Sequence, residues 1–358
     1  EYDQIDYDEI TVSLDEYEQS EFNNEVAMIQ KQKSVVRRDQ IGKLEKLLRD
    51  HPYYENKADV YYRLAEAHWE EARFQNLAAM QEYDKQMDAF DKGALKNQPE
   101  APVENYDVSL EYYRRVLREF PEYMRLDEVL YYLGKGAMQQ GKAAKDRQLK
   151  KEGENTLKRL VQSYPDSDLI PKAYLALAEY YFEGNSLFYA KINYEKIINN
   201  YKMSAMYNYA LYKLAWVYYN LRELEKALGT FKQVVEEVGA AGETGVIQFR
   251  GQALNDMVVV WAEVDEDDAW EKARDYFLSV LPEPEAYKKL IRMADLIQAS
   301  DRHEVAIAMY RHFIERTPTG VHVPEYHGRE YGAKNEDTGL SATHEEYRLA
   351  KERGLPIL

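Results

Sequence analysis

The chain has 358 residues, of which 45% are hydrophobic and 31% are charged, so it can form a core and does not have the composition of a disordered protein. Its 64 acidic residues outnumber its 47 basic residues, and the formal net charge of −17 argues against nucleic acid or an anionic membrane surface as the main partner. The absence of cysteine excludes disulfides, thiolate metal sites and thiol catalysis. Tyrosine is in excess, with 32 residues against 10 phenylalanines and 4 tryptophans.

The N-terminal segment is strongly acidic. Its first 21 residues contain nine acids and no lysine or arginine. Such a run of like charge is typical of a solvated arm, which we place at residues 1–22. Tyrosine and isoleucine residues alternate with the acids, so an ordered, extended arm lying on a groove is the alternative interpretation. Helix is predicted from about Leu14 to Arg49, where the chain becomes basic.

A repeat of about 34 residues is visible when the sequence is compared with itself. In its clearest copy, which starts at Tyr287, apolar residues occupy positions 4, 7, 8, 11, 20, 24 and 27, and a proline occupies position 32. This spacing predicts two amphipathic helices joined by a turn. The small Ala294 at position 8 allows the second helix to approach closely, and Pro318 ends that helix.

The same template recurs in tandem. Full copies begin near Ala58, Asp127, Pro171, Asn208 and Tyr287. A degenerate copy lies between the last two, and a lone second helix that ends at Pro52 precedes the first. Insertions near residues 73–105 and 139–153 interrupt the first two copies. The first insertion has helical periodicity. The second is basic and could contact an anionic partner, but its acids, amides and helix-forming residues favour a solvated extension of a turn.

These copies resemble the tetratricopeptide repeat family over about residues 40–318. The resemblance implies an all-α fold, a right-handed superhelical solenoid of tandem helix-turn-helix repeats. We place this solenoid at residues 23–318, with six repeats and an N-terminal half-repeat, and predict a loop and a capping helix at residues 319–358. A helical solenoid of another repeat class is the alternative.

The resemblance also implies where a partner would bind. In this family the concave surface is lined mainly by the first helix of each repeat, at positions 2, 5, 9, 12 and 13, and it holds an extended peptide or a helix. Aromatic residues at these positions are Tyr62, Trp69, Tyr131, Phe182, Tyr209, Tyr212, Trp216 and Tyr219. Such residues are typical of binding hot spots, so we predict that they contact a partner. Adjacent helices or the N-terminal arm could instead cover the rings.

No standard catalytic or metal-binding constellation occurs in the sequence. There is no phosphate-binding loop, Gly-x-Gly-x-x-Gly, Gly-x-Ser-x-Gly or His-Glu-x-x-His motif. The only local histidine cluster, made of His322, His327 and His344, has no standard ligand spacing. We therefore predict a protein that is not an enzyme and has no catalytic residues, no metal site and no cofactor.

The predicted function is a scaffold that docks a partner protein or peptide, without nucleic acid and without a transmembrane segment. The tyrosine-rich repeats, the acidity and the lack of cysteine are similar to those of periplasmic tetratricopeptide proteins in bacterial envelope machines for assembly, motility, secretion or division. That similarity implies a periplasmic location, with peripheral association with the envelope. A cytosolic adaptor or chaperone is one alternative, and the repeat domain of a larger enzyme is another. The sequence leaves the oligomeric state open.

Overall fold

A computed structural model describes the backbone of residues 7–239, 244–266 and 268–316, and the side chains within 28–237, 249–266 and 268–313. The described residues form thirteen α-helices and no strand. The chain divides into two compact units, Glu1–Leu177 and Ala178–Leu358. The predicted loop and capping helix at residues 319–358 lie outside the described residues, as do the first six residues of the predicted arm.

Unit 1 contains five complete helices and the first part of a sixth. They are α1 (Tyr7–Asp50), α2 (Lys57–Asp91), α3 (Asp107–Glu119), α4 (Leu126–Ala143), α5 (Arg147–Ser163) and α6 (Ile170–Glu183). Each of α1 to α4 contacts the helix that follows it. The core of this unit is rich in aromatic residues, and Tyr61, Tyr62 and Tyr113 are fully buried in it.

Unit 2 contains the rest of α6 and seven further helices. They are α7 (Leu187–Asn200), α8 (Tyr207–Asn220), α9 (Leu224–Gly239), α10 (Thr244–Glu263), α11 (Ala269–Val280), α12 (Glu283–Ala299) and α13 (His303–Arg316). Successive helices from α7 to α13 contact each other, and α8, α10 and α12 also form a contacting series. Leu290, Met293, Ala294 and Ile297, which occupy the apolar positions of the first helix in the Tyr287 copy, are buried.

This arrangement confirms the predicted all-α solenoid of tandem helix pairs. Beginning with α2 and α3, the described helices form six pairs, and α1 precedes them as a single helix. The small residue that the template requires at position 8 acts as predicted in the second pair. A Cβ atom on Gly153 of α5 would lie 2.5 Å from the carbonyl oxygen of Gly134 on α4, so the two backbones touch where neither residue has a side chain.

The predicted N-terminal arm needs correction. Helix α1 begins at Tyr7, seven residues before the predicted start, so residues 7–22 are helical and continuous with the basic segment. No glycine or proline interrupts them, and acidic residues near a helix N-terminus interact favourably with the helix dipole. A buried cluster fixes the later part of α1 on α2: Ser34 donates a 2.9 Å hydrogen bond to Glu71, which also pairs with Arg37 at 3.0 Å.

The first insertion forms a longer helix followed by a connection at residues 92–106, and the second is absorbed by longer helices. The helical periodicity near residues 73–105 corresponds to the extension of α2 as far as Asp91. The second insertion, near residues 139–153, is not the extended turn that was predicted from its mixture of acids, amides and helix-forming residues. Helix α4 continues to Ala143 and α5 starts at Arg147, because Asp146 caps α5 by accepting hydrogen bonds from the backbone of Gln148 and Leu149 at 2.8 and 3.1 Å.

The turns within four repeats share a feature that the template does not contain. A residue with positive φ occurs two positions after the first helix ends, and it is not glycine in any of the four. These residues are Lys145 (φ 54°), Asn185 (54°), Arg222 (61°) and Asp301 (62°). The left-handed conformation reverses the chain in three or so residues, and it is why the paired helices are joined so tightly.

Candidate partner-binding surface

Five of the eight predicted partner-contacting residues lie in unit 2 on helices α6 and α8. Phe182, Tyr209, Tyr212, Trp216 and Tyr219 are each partly exposed. We call this set the aromatic face. The rings of Trp216 and Tyr219 meet edge to face with centroids 5.3 Å apart, and the ammonium of Lys213 on α8 lies 4.3 Å from the ring centroid of Phe182 on α6.

The tyrosine hydroxyls of the aromatic face are held by carboxylates on neighbouring first helices. Tyr209 donates a 2.7 Å hydrogen bond to Glu179 on α6. On the other side of α8, Tyr212 donates to Asp256 on α10 at 2.6 Å. Tyr219 donates to Glu263, also on α10. Hydrogen bonds to an ionised acceptor are short and strong, so these three fix the phenols and tie α8 to α6 and α10.

Burial and the acidic neighbours raise the pKa of these phenols. Burial is the largest cause for Tyr209 and Tyr212, and the hydrogen bond to the carboxylate is the next; the pKa of Tyr212 rises to about 12. For Tyr219 the hydrogen bond to Glu263 is the largest cause of its raised pKa. All three hydroxyls therefore keep their protons at neutral pH and act as donors.

The sequence did not identify the acidic partners of these tyrosines. Glu179, Asp256 and Glu263 stand beside aromatic rings, and a carboxylate accepts more hydrogen bonds than the single one that a phenol donates. Arg222, in the left-handed turn after α8, pairs with Glu263. The surface thus combines apolar rings in fixed positions with acidic acceptors. The repeat template marks where apolar residues fall in a helix, and it contains no information about which acid lies opposite on the next repeat.

Three predicted partner-contacting residues, all in unit 1, are interior residues. Tyr62 is fully buried, and it donates to Glu66 at 3.0 Å and to Glu128 on α4 at 2.7 Å. Trp69 is buried under Tyr106, with ring centroids 3.9 Å apart.

Tyr131 is the third of these, and it is buried as well, with its ring 5.3 Å from that of Tyr132. The prediction that Tyr62, Trp69 and Tyr131 face a partner is therefore corrected. The alternative interpretation, in which other parts of the chain cover the rings, holds for these residues.

The described part of the chain contains neither a cluster of metal-ligating side chains nor a helix that could span a membrane. There, no three His, Asp or Glu side chains are grouped as metal ligands would be, and His322, His327 and His344 lie outside it. Within the same part, every helix is too short or too polar to cross a membrane.

Comparison with known proteins points to the repeat that carries four of the five residues of the aromatic face. The model of the family described as Tetratricopeptide repeat matches residues 209–238, which cover most of α8 and α9. Tyr209, Tyr212, Trp216 and Tyr219 all lie within the match. No curated protein matches the chain significantly. The match covers one tetratricopeptide repeat, and the helix pairs on the described residues form an all-α repeat solenoid.

Proposed function

We propose that this protein is a non-enzymatic scaffold that docks a segment of a partner protein on the aromatic face of unit 2. The observation that carries the proposal is that partly exposed rings on α8 are locked by hydrogen bonds to acids on both neighbouring first helices. A surface whose side chains are already ordered loses little conformational entropy when it binds, so its contact area contributes more to affinity.

Trp216 is the residue from which we expect the largest contribution. Its ring meets Phe231 and Tyr219 edge to face, at 5.9 and 5.3 Å, so it is supported from beneath and from the side while part of it stays exposed. Tryptophan in such a supported position is enriched among residues that dominate binding energy. Phe182 is the second expected contact. The ammonium of Lys213 fixes one face of its ring, and the ring is still partly exposed.

Selection from a random peptide library displayed on phage tests this proposal. Peptides enriched on the full chain should bind the Trp216→Ala variant about tenfold more weakly or worse, as expected for the loss of a hot spot. Phe188→Ala is the matched control, because Phe188 is an exposed ring on the second helix α7.

The control variant should bind the selected peptides as the unchanged protein does. Equal binding by the Trp216→Ala variant would place the peptide site elsewhere and contradict the proposal. Helical circular dichroism and urea unfolding of each variant separate lost binding from lost structure. Phe182→Ala gives a second substitution on the same face if Trp216→Ala unfolds.

We further propose that the scaffold works in a bacterial envelope complex and resides in the periplasm, associated peripherally with the envelope. The support is compositional: tyrosine-rich repeats, a net charge of −17 and no cysteine. Fractionation of the source cells, followed by detection with an antibody against this chain, tests the location. Recovery with cytosolic markers would favour the cytosolic adaptor instead.

A further inference from the structure

Helix α1 has strongly segregated charge. Its residues 7–25 contain seven acids and no basic residue, a net charge of −7, whereas residues 31–49 contain seven basic residues and two acids, a net charge of +5. The helix is continuous over 44 residues, from Tyr7 to Asp50. At about 1.5 Å per residue it is about 66 Å long, and the centres of the two charge blocks, near residues 16 and 40, lie about 36 Å apart.

The middle of α1 exposes a stripe of aliphatic side chains. Met28, Ile29, Val35 and Val36 are between 43% and 67% exposed. They form two pairs spaced by seven residues, so they share one side of the helix. Ser34 and Ile41, which are buried, face α2 on the other side. Contiguous exposed aliphatic side chains on a helix mark an interaction surface, and Ile29 and Val36 also line a groove that α1 shares with Ala67 and Glu70 of α2.

We propose that this stripe is the centre of an antiparallel pairing between α1 and the α1 of a second copy of the chain. Antiparallel pairing about the stripe places the acidic block of each copy along the basic block of the other, and it does so twice because the contact is two-fold symmetric. Parallel pairing would place like charges together. We place the two-fold axis at residue 32, the centre of the stripe, which is four residues from the midpoint between the block centres.

The oligomeric state of the full chain, measured by light scattering after size exclusion and by sedimentation, tests the pairing. The unchanged protein should have twice the mass of one chain, and about 1 M salt should weaken the association because it screens the charged blocks. Val35→Glu should give a monomer with unchanged helical circular dichroism. Val108→Glu is the matched control: Val108 lies on α3 and is 51% exposed, and its substitution should leave the dimer intact.

Cross-linking tests the orientation, since the chain has no cysteine of its own. Gln32→Cys places a thiol at the expected two-fold axis, in the middle of the stripe, and should give a disulfide-linked dimer. Lys46→Cys lies 14 residues away from that axis, so its two copies would be about 42 Å apart and should not cross-link.

Each opposite result overturns the proposal. An unchanged protein that is monomeric at micromolar concentration excludes the pairing. A dimer that survives Val35→Glu uses another surface, and cross-linking at both cysteines shows parallel helices.

Discussion

The phenol of Tyr212 on α8 donates a 2.6 Å hydrogen bond to the carboxylate of Asp256 on α10, 44 residues further along the chain. The same relationship recurs in unit 1, where Tyr62 on α2 donates to Glu128 on α4 at 2.7 Å. In both cases the bond joins the first helices of successive repeats. Part of the excess of tyrosine over phenylalanine therefore has a structural cause: the ring fills the contact between repeats and its hydroxyl binds an acid on the next one.

Removing the hydroxyl of Tyr212 should weaken the contact between α8 and α10. Tyr212→Phe keeps the ring on Phe231 and Phe249 but leaves the carboxylate of Asp256 without this donor. We expect a loss of about 1–2 kcal/mol in the free energy of unfolding, measured by urea denaturation. Tyr189→Phe, at an exposed tyrosine on α7, is the control and should change stability by less than about 0.5 kcal/mol. Equal losses of unfolding free energy in the two variants would show that the hydrogen bond to Asp256 does not contribute to stability.

Alkaline pH should destabilise unit 2 through its tyrosines. Burial is the largest cause that raises the pKa of Tyr207, Tyr212, Tyr218 and Tyr276 to about 12. In the unfolded chain these phenols lose their protons near pH 10, so above that pH the folded state binds more protons than the unfolded state.

The stabilising contribution of these raised pKa values is complete below about pH 10 and is lost as the pH rises through about 12. Urea midpoints measured over this range should fall steadily. Tyr212→Phe should make the decline shallower, since one of the titrating groups is gone. A midpoint that does not change above pH 10 would contradict the raised pKa values.

Gly153 should not tolerate even a methyl group. Its Cβ would lie 2.5 Å from the carbonyl oxygen of Gly134, and neither backbone can move without separating α4 from α5. Gly153→Ala should therefore lower the free energy of unfolding by about 1–3 kcal/mol. The same substitution at Gly229 in α9, where a Cβ would meet nothing within 4 Å, should raise it by about 0.5–1 kcal/mol. Thermal and urea unfolding compare the two variants. Changes of the same sign in their unfolding free energies would contradict the close approach of Gly153 to Gly134.

Glycine should stabilise the turn between α4 and α5. Lys145 has φ 54°, a conformation that costs about 1 kcal/mol in a residue with a Cβ. Lys145→Gly should increase the unfolding free energy by about 0.5–1 kcal/mol. Lys145→Ala removes the same long side chain but keeps the Cβ, so it should give no such gain. If both variants behave alike in urea unfolding, the backbone conformation is not the source of the effect.

Much of the fold could be read from the sequence because the signal for a helix pair is local. Apolar residues at three- and four-residue spacing, a small residue at position 8 and a proline after the second helix predicted the pairs, and Gly134 and Ala294 both occupy the predicted contact. The start of α1 was missed, since a run of acids has the same composition in a solvated arm and at a helix N-terminus.

The candidate surface was only partly accessible to the same reasoning. A repeat position says which side of a helix a residue occupies, and this is why Phe182, Tyr209, Tyr212, Trp216 and Tyr219 were found together. It does not say how far the next segment covers that side. Trp69 and Tyr106 are 37 residues apart in the sequence, and Tyr106 lies before α3 in a connection that has no counterpart in the template.

The sequence by itself determined the class of the fold, the number and order of helix pairs and the side of each first helix on which aromatic residues fall, because these depend on spacing within about 34 residues. Tertiary structure alone decided which of those rings are buried, as Tyr62 is, and which stay partly exposed, as Trp216 is. It also decided the pairing of Tyr212 with Asp256. Burial and hydrogen bonding depend on which side chains of a neighbouring repeat come within contact distance, and spacing along a single helix does not contain that information.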